Sequence, residues 1–347
     1  MNTQDRPPVK LRVTAESWPL RSPFRITGST MECLDIVVVL LEQDGVTGKG
    51  EAAGVDYLND DVAFMVRQID AVRPFIEAGV TRETLLELLP AGGARNALDC
   101  ALWDLEAKLS GRAAWQIAGL NEPRPILTTY TVGADFPDAM ASTARSFVQA
   151  KAIKLKLLGE KIDGHRVAAV RDACPDAWLA VDANQGFSRA HLDAMMPTLL
   201  DAWVSLIEQP FPIGQEPSLD ALKSPIPIAA DESARGLGDL PKLVGRFNVI
   251  NIKLDKCGGL TEALLIAREA RRLGFELMVG NMVGTSLAMA PAFLVGQLCQ
   301  VVDLDGPILL KDDRAEPALY DKGLIYCDER IWGGPITYPR GALAPRE

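Results

Sequence analysis

The segment AIKLKL (152–157) alternates apolar residues with two lysines, and residues two apart on a strand share a face. Lys154 and Lys156 therefore project together, while Ile153, Leu155 and Leu157 face the opposite layer. Adjacent ammonium groups repel and burial disfavours the charged form of each, so at least one lysine is expected to have a lowered pKa and to act as a base near neutral pH. Further along, a series of apolar strands ends in charge: Asp182 and Asn184, Glu208, Asp231 and Glu232, Lys253, then Asp303 and Asp305. Carboxylates such as Asp182, Glu208 and Asp231, ending three consecutive strands, must bind a cation or stay partly protonated. Oxygen ligands with no His or Cys nearby select a hard divalent ion, and Mg²⁺ is the expected one. A substrate carboxylate on that ion would have an acidified α-carbon, because the ion stabilises the enediolate left by deprotonation. With Lys253 across the barrel from the lysine pair, one amine would take the α-proton and another would return a proton to the opposite face, inverting the stereocentre.

Such side chains need strands that converge at one end. After Pro123 and Pro125, short apolar strands alternate with amphipathic helices, and strands are expected at 128–132, 152–157, 178–184, 204–210, 226–232, 249–254, 276–281 and 301–306. Repeated strand-then-helix units indicate parallel crossovers, and their number favours a closed α/β barrel, a modified TIM barrel of (β/α)7β type over residues 123–315, with its active site at the C-terminal strand ends. Residues 1–122 read as an α+β domain. In it IVVVLL (36–41) and VTGKGEAA flank the turn Gln43-Asp44-Gly45 as a hairpin. WPLRSPFRITGSTMEC reads as a loop, and ARNALDCALWDLEAKLSGR as a helix with Ala97, Ala101, Leu102, Leu105 and Leu109 at helical spacing, ended by Gly111. Residues 316–347 lose the rhythm and are expected to pack back onto the N-terminal domain.

Composition excludes several classes. Of 347 residues, 48% are apolar and 24% charged, which is globular rather than disordered. A net charge of −10 argues against nucleic acid or an anionic membrane surface as a partner. No long apolar run and no N-terminal apolar core appear, so neither export nor membrane insertion is expected, and a cytoplasmic location follows. The six cysteines are scattered without a C-x-x-C and read as reduced core residues. With only His165 and His191 present, both in helix-like polar surroundings, the chemistry must run largely without imidazole.

The order KLK (154–156), DAN (182–184), EQP (208–210), ADES (230–233), NIKLDKCGG (251–259) and DLDGP (303–307) resembles the enolase superfamily, specifically its muconate-lactonizing-enzyme-like branch and, within that, the dipeptide epimerases. The likeness spans nearly the whole chain, including ARNALDCALWDLEAKLSG, which is similar to the helix ending that family's capping domain. This superfamily is itself a known case of Lys or His bases paired with Mg²⁺. The resemblance implies Lys156 and Lys253 as the acid/base pair, Lys154 as an assistant that contacts the metal-bound carboxylate and lowers the pKa of Lys156, and Asn184 in support. It matches Asp182, Glu208 and Asp231 to the Mg²⁺ ligands. In dipeptide epimerases the DLD motif holds the substrate's α-ammonium, which assigns Asp303 and Asp305 to substrate binding, with Thr131 and Arg25 as further contacts. A neutral N-acyl substrate would leave both aspartates buried and unpaired.

The Ala-Glu epimerases carry an arginine in the loop before the second strand. Alignment from Phe24 puts Gly28 there, and Arg25 is the only arginine of PFRITGSTMEC. The implied activity is a Mg²⁺-dependent dipeptide epimerase working by two-base 1,1-proton transfer on a small molecule. Racemisation of N-acylamino acids, N-acylglutamate included, is the alternative, followed by muconate cycloisomerisation and o-succinylbenzoate synthesis on the same scaffold. A lysine Schiff-base aldolase would need no metal, and a non-catalytic binding barrel would need neither the lysines nor the acids. Barrels of this kind often self-associate, so a homo-oligomer is among the expected states.

Overall fold

A computed structural model describes residues 8–220 and 222–335; the last residues of the 316–347 segment lie outside the described part. The N-terminal unit is an antiparallel sheet, β1 (Lys10–Ile26), β2 (Ser29–Gln43) and β3 (Val46–Ala52), in that order. It is backed by α1 (Val62–Glu77), α2 (Arg82–Leu88) and α3 (Gly93–Ser110). Asp44 (φ 53°) and Gly45 (φ 78°) are both left-handed, the conformation that a two-residue hairpin of matching twist requires. The stretch expected as a loop is instead paired: Phe24, Arg25 and Ile26 oppose Met31, Thr30 and Ser29, after a register shift between Pro19 and Phe24. β1 is an edge strand, so the missing N–H groups of Pro19 and Pro23 are tolerated there. Val37, Val39 and Leu41 of β2 pack on Ile69 of α1 and on Ala97, Ala101 and Leu105 of α3. Sheet and helix meet backbone to backbone at Gly50, where an added Cβ would fall 2.0 Å from the Ala97 carbonyl oxygen. Gly111 (φ 65°) ends α3 in the left-handed conformation.

Next come α4 (Ala114–Ile117) and the short β4 (Ile126–Leu127). Eight parallel strands then follow in sequence order around one sheet: β5 (Thr129–Val132), β6 (Ala152–Lys156), β7 (Trp178–Asp182), β8 (Val204–Glu208), β9 (Ile228–Ala230), β10 (Val249–Ile252), β11 (Glu276–Val279) and β12 (Val301–Val302). Outside them lie α5 (Pro137–Ser146), α6 (Asp163–Ala173), α7 (Arg189–Asp201), α8 (Leu240–Leu243), α9 (Leu254–Cys257), α10 (Leu260–Arg272), α11 (Ser286–Gly296) and α12 (Gly306–Leu309). Side chains draw the first and last barrel strands together, since the Thr128 hydroxyl accepts from Leu304 N at 3.0 Å and the Thr129 hydroxyl donates to Asp303 at 2.5 Å. Below the strand ends the interior is filled by Ala180, Leu206, Ala229, Val249 and Met278. β7 and β8 keep their charged ends, Asp182 and Glu208, and the chain turns just beyond them at the left-handed Asn184 (φ 40°), Gln185 (φ 68°) and Gln209 (φ 34°). β9, β10 and β12 stop one residue before Asp231, Lys253 and Asp303.

β13 (Leu319–Asp321) and β14 (Leu324–Tyr326) join β4 in a second three-stranded sheet. Beyond them the Trp332 indole donates to the Lys49 and Cys100 carbonyls at 3.0 and 2.9 Å, which pins this end of the chain to the N-terminal unit. Among the described residues no helix is long and apolar enough to cross a membrane. Gly50→Ala should cost about 1–3 kcal/mol, the range for forcing extra atoms into a packed interior. Chemical denaturation would measure it, and an unchanged midpoint would contradict the backbone-to-backbone contact.

Candidate active site

Parallel register places the charged residues side by side. Lys156 is opposite Asp182 on β6 and β7, and Asp182 is opposite Glu208 on β7 and β8. Asp231 follows β9 by one residue and Lys253 follows β10 by one. One carboxylate oxygen from each of Asp182, Glu208 and Asp231 falls within 4.8 Å of the others, and all three side chains are buried. Lysines flank the trio on either side. Lys156 Nζ is 2.6 Å from Asp182 Oδ2, and Lys253 Nζ is 2.7 Å from Asp231 Oδ2. Lys154 reaches Glu208 at 3.4 Å and Asp182 at 3.8 Å and bonds closely to Asp303.

These contacts turn Lys154 the opposite way from the lowering that burial and a neighbouring ammonium would give. Burial does pull Lys154 down, but Asp303, Glu208 and Asp182 outweigh it and the net shift is upward. Lys253 is likewise drawn down by burial and then raised further by Asp231 and Glu208. For Lys154 and Lys253 the facing carboxylates outweigh burial and like-charge repulsion. The acids carry the complementary strain. Burial and then Asp182 push Glu208 up to about 8, and burial with Asp231 and Asp182 pushes Glu232 up to about 7. Asp231 is the exception: burial raises it, but Lys253 and Lys256 hold it far below the usual carboxylate range.

The donor set fits a hard cation, being all carboxylate oxygen with no nitrogen or sulfur ligand. Positive charge added to the cluster would favour the ionised form of Glu208, whose pKa burial and Asp182 raise. Three buried acceptors at the rim of the trio, Asn184 Oδ1, Glu232 Oε2 and Asn251 Oδ1, have no hydrogen-bond partner, and buried polar atoms are rarely left so.

The remaining expected residues separate into two groups. Lys154, Lys156, Lys253, Asn184, Thr131, Asp303 and Asp305 share one cavity of about 1090 Å³ between the barrel mouth and the N-terminal unit. Thr131 spends its backbone N–H on Asp305 at 2.5 Å, and its hydroxyl lies 3.4 Å from Asp303. Asn184 donates its backbone N–H to Asp182 at 2.9 Å. Arg25 is brought elsewhere. It is exposed and lines a smaller pocket of about 390 Å³ with Leu158 and Glu160, which adjoins the large cavity along residues 26–30, whereas its strand neighbours Phe24 and Ile26 line the large cavity itself. Since β1 continues through residue 26, alternation sends Arg25 to the outer face. Of the loop aromatics, Phe24 and Tyr57 line the cavity, while Trp18 packs beneath the Arg314 guanidinium, 5.0 Å from its ring centroid.

A second expectation also changes. Asp303 and Asp305 are not left unpaired without a substrate cation, because Asp303 accepts from Lys154 and Thr129 and Asp305 from Thr131 N. Burial and the charge of Asp303 still push Asp305 up to about 6. Three partners escaped the sequence reading. Asn251 donates to Glu208 at 2.7 Å, and Thr129 holds Asp303; each lies two residues from a residue already singled out, so strand alternation could have found them. Lys256 donates to Asp231 Oδ1 at 2.5 Å and to the Asn251 carbonyl at 3.1 Å. Strand alternation would point it away from Lys253, but the helical turn beginning at Leu254 brings residue i+3 back to the same side.

Comparison with known proteins agrees with this geometry. Residues 8–119 match the family described as mandelate racemase / muconate lactonizing enzyme, N-terminal domain, and residues 139–330 match the enolase C-terminal domain-like family. L-Ala-D/L-Glu epimerase of Escherichia coli (strain K12) is 43% identical over 313 residues, 89% of this chain and 96% of that protein. N-acetyl-D-glutamate racemase of a Pseudoalteromonas species is 38% identical over 304 residues, 86% of this chain and 95% of that protein. An enolase family member from Agrobacterium tumefaciens with homology to dipeptide epimerases, crystallised with sodium and L-Ala-L-Glu, superposes with a TM-score of 0.91 at 40% identity. It covers 94% of this chain and 100% of that one.

The raised Glu208 makes a prediction with a definite sign. An ordinary Glu titrates near 4.5 and the buried one at about 8. Between these values unfolding releases a proton, so the cost of burying Glu208 grows as pH rises and is complete above about 8. In EDTA, Glu208→Gln should therefore melt higher than the parent at pH 8 and above, with the gap closing towards 4.5, while Mg²⁺ should raise the melting temperature of the parent far more than that of the variant. A variant less stable than the parent in EDTA at high pH would contradict the assigned repulsion.

Proposed function

The chain belongs to the muconate-lactonizing-enzyme-like branch of the enolase superfamily and to its dipeptide epimerase family, and from that premise we propose that it is an isomerase that inverts the α-carbon of a dipeptide residue by two-base proton transfer. The observation that carries the reading is the order across β6 to β10: an amine, three buried carboxylates, and an amine again. Asp182, Glu208 and Asp231 would hold Mg²⁺. When bound, that ion would take up the charge developing on the substrate carboxylate and compete with the ammoniums for the acids, lowering the lysine pKa values. Lys156 and Lys253, approaching from opposite walls, take the α-proton and return one to the other face. The enzyme finishes with the protonation of the two lysines exchanged, which the reverse turnover restores. Lys154 stays on the carboxylate side, bonded to Asp303 and near Glu208.

At the far end of the cavity Asp303 and Asp305 receive the α-ammonium, oriented by Thr129 and Thr131. Asp305 is the better acceptor for that added charge, because Asp303 already shares the Lys154 ammonium. Arg25 has no part in this arrangement. That same Lys154 bond favours the second reading, racemisation of an N-acylamino acid, because a neutral acyl group would not leave Asp303 unpaired; the likeness to N-acetyl-D-glutamate racemase points the same way. The six cysteines all stand free, which suits the cytoplasm as the proposed compartment. On the same reading the chain divides at 122 and 315, and among the described residues 8–122 cap the barrel and 316–335 return to that cap.

The test is turnover in D₂O with Mg²⁺, comparing L-Ala-L-Glu with N-acetylglutamate and following deuterium at the α-carbon by mass. Lys156→Ala and Lys253→Ala should each abolish epimerisation while retaining exchange of one stereoisomer; normal epimerisation by both variants would remove the two-base scheme. Asp305→Asn should lower kcat/KM for the dipeptide roughly tenfold or more, the worth of a charge-assisted hydrogen bond, and leave N-acetylglutamate nearly unaffected. Faster turnover of N-acetylglutamate by the parent, with no effect of Asp305→Asn on either substrate, would decide for the racemase.

A further inference from the structure

The cap supplies one wall of the cavity with the segment from Ala53 to Ala63, and Tyr57 on it faces the same space as Lys253 and Asp231. Little apolar packing holds the tip of this segment, for Tyr57 and Leu58 are 41% and 39% exposed. Its backbone instead closes on itself, with Leu58 N donating to the Val55 carbonyl and Asn59 N to the Asp56 carbonyl, both at 2.9 Å, and Val55 bridging Asp60. Gly54 is left-handed (φ 76°), and a Cβ there would meet the Asp60 carbonyl oxygen at 1.9 Å, so the turn accepts only glycine. The segment is therefore a compact knot whose position depends on how its two ends are tied.

One end is tied within the N-terminal unit, where Asp60 Oδ2 accepts from Gly93 N at 2.6 Å. The other is tied to the barrel. Asp255 Oδ1 accepts from both Ala53 N and Gly54 N at 3.0 Å, and the Asn96 side chain of α3 bonds the same carboxylate. Asp255 is buried and stands in the first turn of α9, two residues beyond Lys253. The short strand-to-helix turn that presents the amine to the cavity thus presents, on its other side, the carboxylate that anchors the cap.

We infer that Asp255 is a positioning residue that sets the knot, Tyr57 included, at a fixed height over the face on which Lys253 works. This rests on the two-lysine reading of the cavity and goes beyond it, because it assigns the registration of the cap wall to a residue that touches neither substrate nor metal ligand. Lys253 keeps its bond to Asp231, and Asp231 its bond to Lys256, whether or not Asp255 holds the knot. Loss of the anchor therefore loosens the enclosure around the substrate more than it disturbs proton transfer, and it acts on KM before kcat.

The experiment compares the parent with Asp255→Ala and Asp255→Asn by hydrogen–deuterium exchange read by mass spectrometry, without substrate, and by steady-state kinetics with L-Ala-L-Glu. The hydrogen bonds from Ala53 N, Gly54 N and the Asn96 side chain are lost in Asp255→Ala, so KM should rise roughly tenfold or more with kcat within about threefold. Amide exchange should accelerate in peptides covering 53–63 and not in those covering β6 to β8. Asp255→Asn retains an oxygen acceptor and should restore both readouts towards the parent. If Asp255→Ala does not accumulate as folded protein, Asn96→Ala carries the test, with the same localised acceleration and a smaller rise in KM. Unchanged exchange at 53–63, acceleration spread evenly over the barrel, a fall in kcat at constant KM, or an Asp255→Asn variant as loose as Asp255→Ala would each overturn the inference. The exchange arm uses no substrate, so failure of the parent to turn over the dipeptide would count against the dipeptide reading and leave Asp255 to be decided by exchange.

Discussion

Three carboxylates gathered in a dry barrel mouth repel one another, and the surrounding fold answers that repulsion with amines placed strand by strand. Asp182 has Lys156, Asp231 has both Lys253 and Lys256, and Glu208 has the more distant Lys154. The inequality explains why Asp231 is driven below the usual carboxylate range while Glu208 is driven above it. Coulomb energies at such separations are large wherever water is excluded, so the protonation of each member depends on all the others. The amines that balance the acids are also the ones positioned to move a proton. On the proposed reading, positive charge brought to the acids would free the amines and so link metal binding to base strength.

The same economy governs the junction between the two units. Buried carboxylates from one side accept donors from the other: Glu51 takes Thr285 N at 2.8 Å and pairs with Arg314, and Asp99 takes Thr261 N at 2.9 Å. Arg95 of α3 reaches the Cys257 and Gly258 carbonyls and closes on Glu262. Breaking any of these would strand a buried polar group, at a cost larger than the net worth of the bond. An apolar interface could slide by a fraction of a residue, whereas a bonded one has a single register. The cavity is bounded by both units, so its shape inherits that single register.

At the opposite side of the cavity, closing the barrel and building the proposed ammonium site are one event. Thr128, just before the first barrel strand, and Thr129 and Thr131 on it bond to Leu304, Asp303 and Asp305 beyond the last. A pair of acids that looks, in isolation, like a receptor for a cation is therefore also part of the seam, and its charge is partly spent on Lys154. This double use is why the acid pair alone does not separate a dipeptide from an N-acyl substrate, and why Asp305 rather than Asp303 carries the distinction.

Residue periodicity made much of this protein legible in advance. The eight apolar strands, the helix over ARNALDCALWDLEAKLSG, the Asp44–Gly45 turn, and the acids and lysines at strand ends all follow from which neighbours share a face of a single element, and this depends only on local geometry. Three matters were settled by the tertiary structure. β1 runs on through Ile26 because β2 pairs with it, and that alternation sends Arg25 outward. Lys256 rejoins the site because a helical turn begins after Lys253. Lys154 and Lys253 gain rather than lose proton affinity because register surrounds them with carboxylates from neighbouring strands. A sequence records the order of charges along one strand, whereas the field at an amine depends on the distances to charges on the neighbouring strands, and those distances exist only once the barrel has closed.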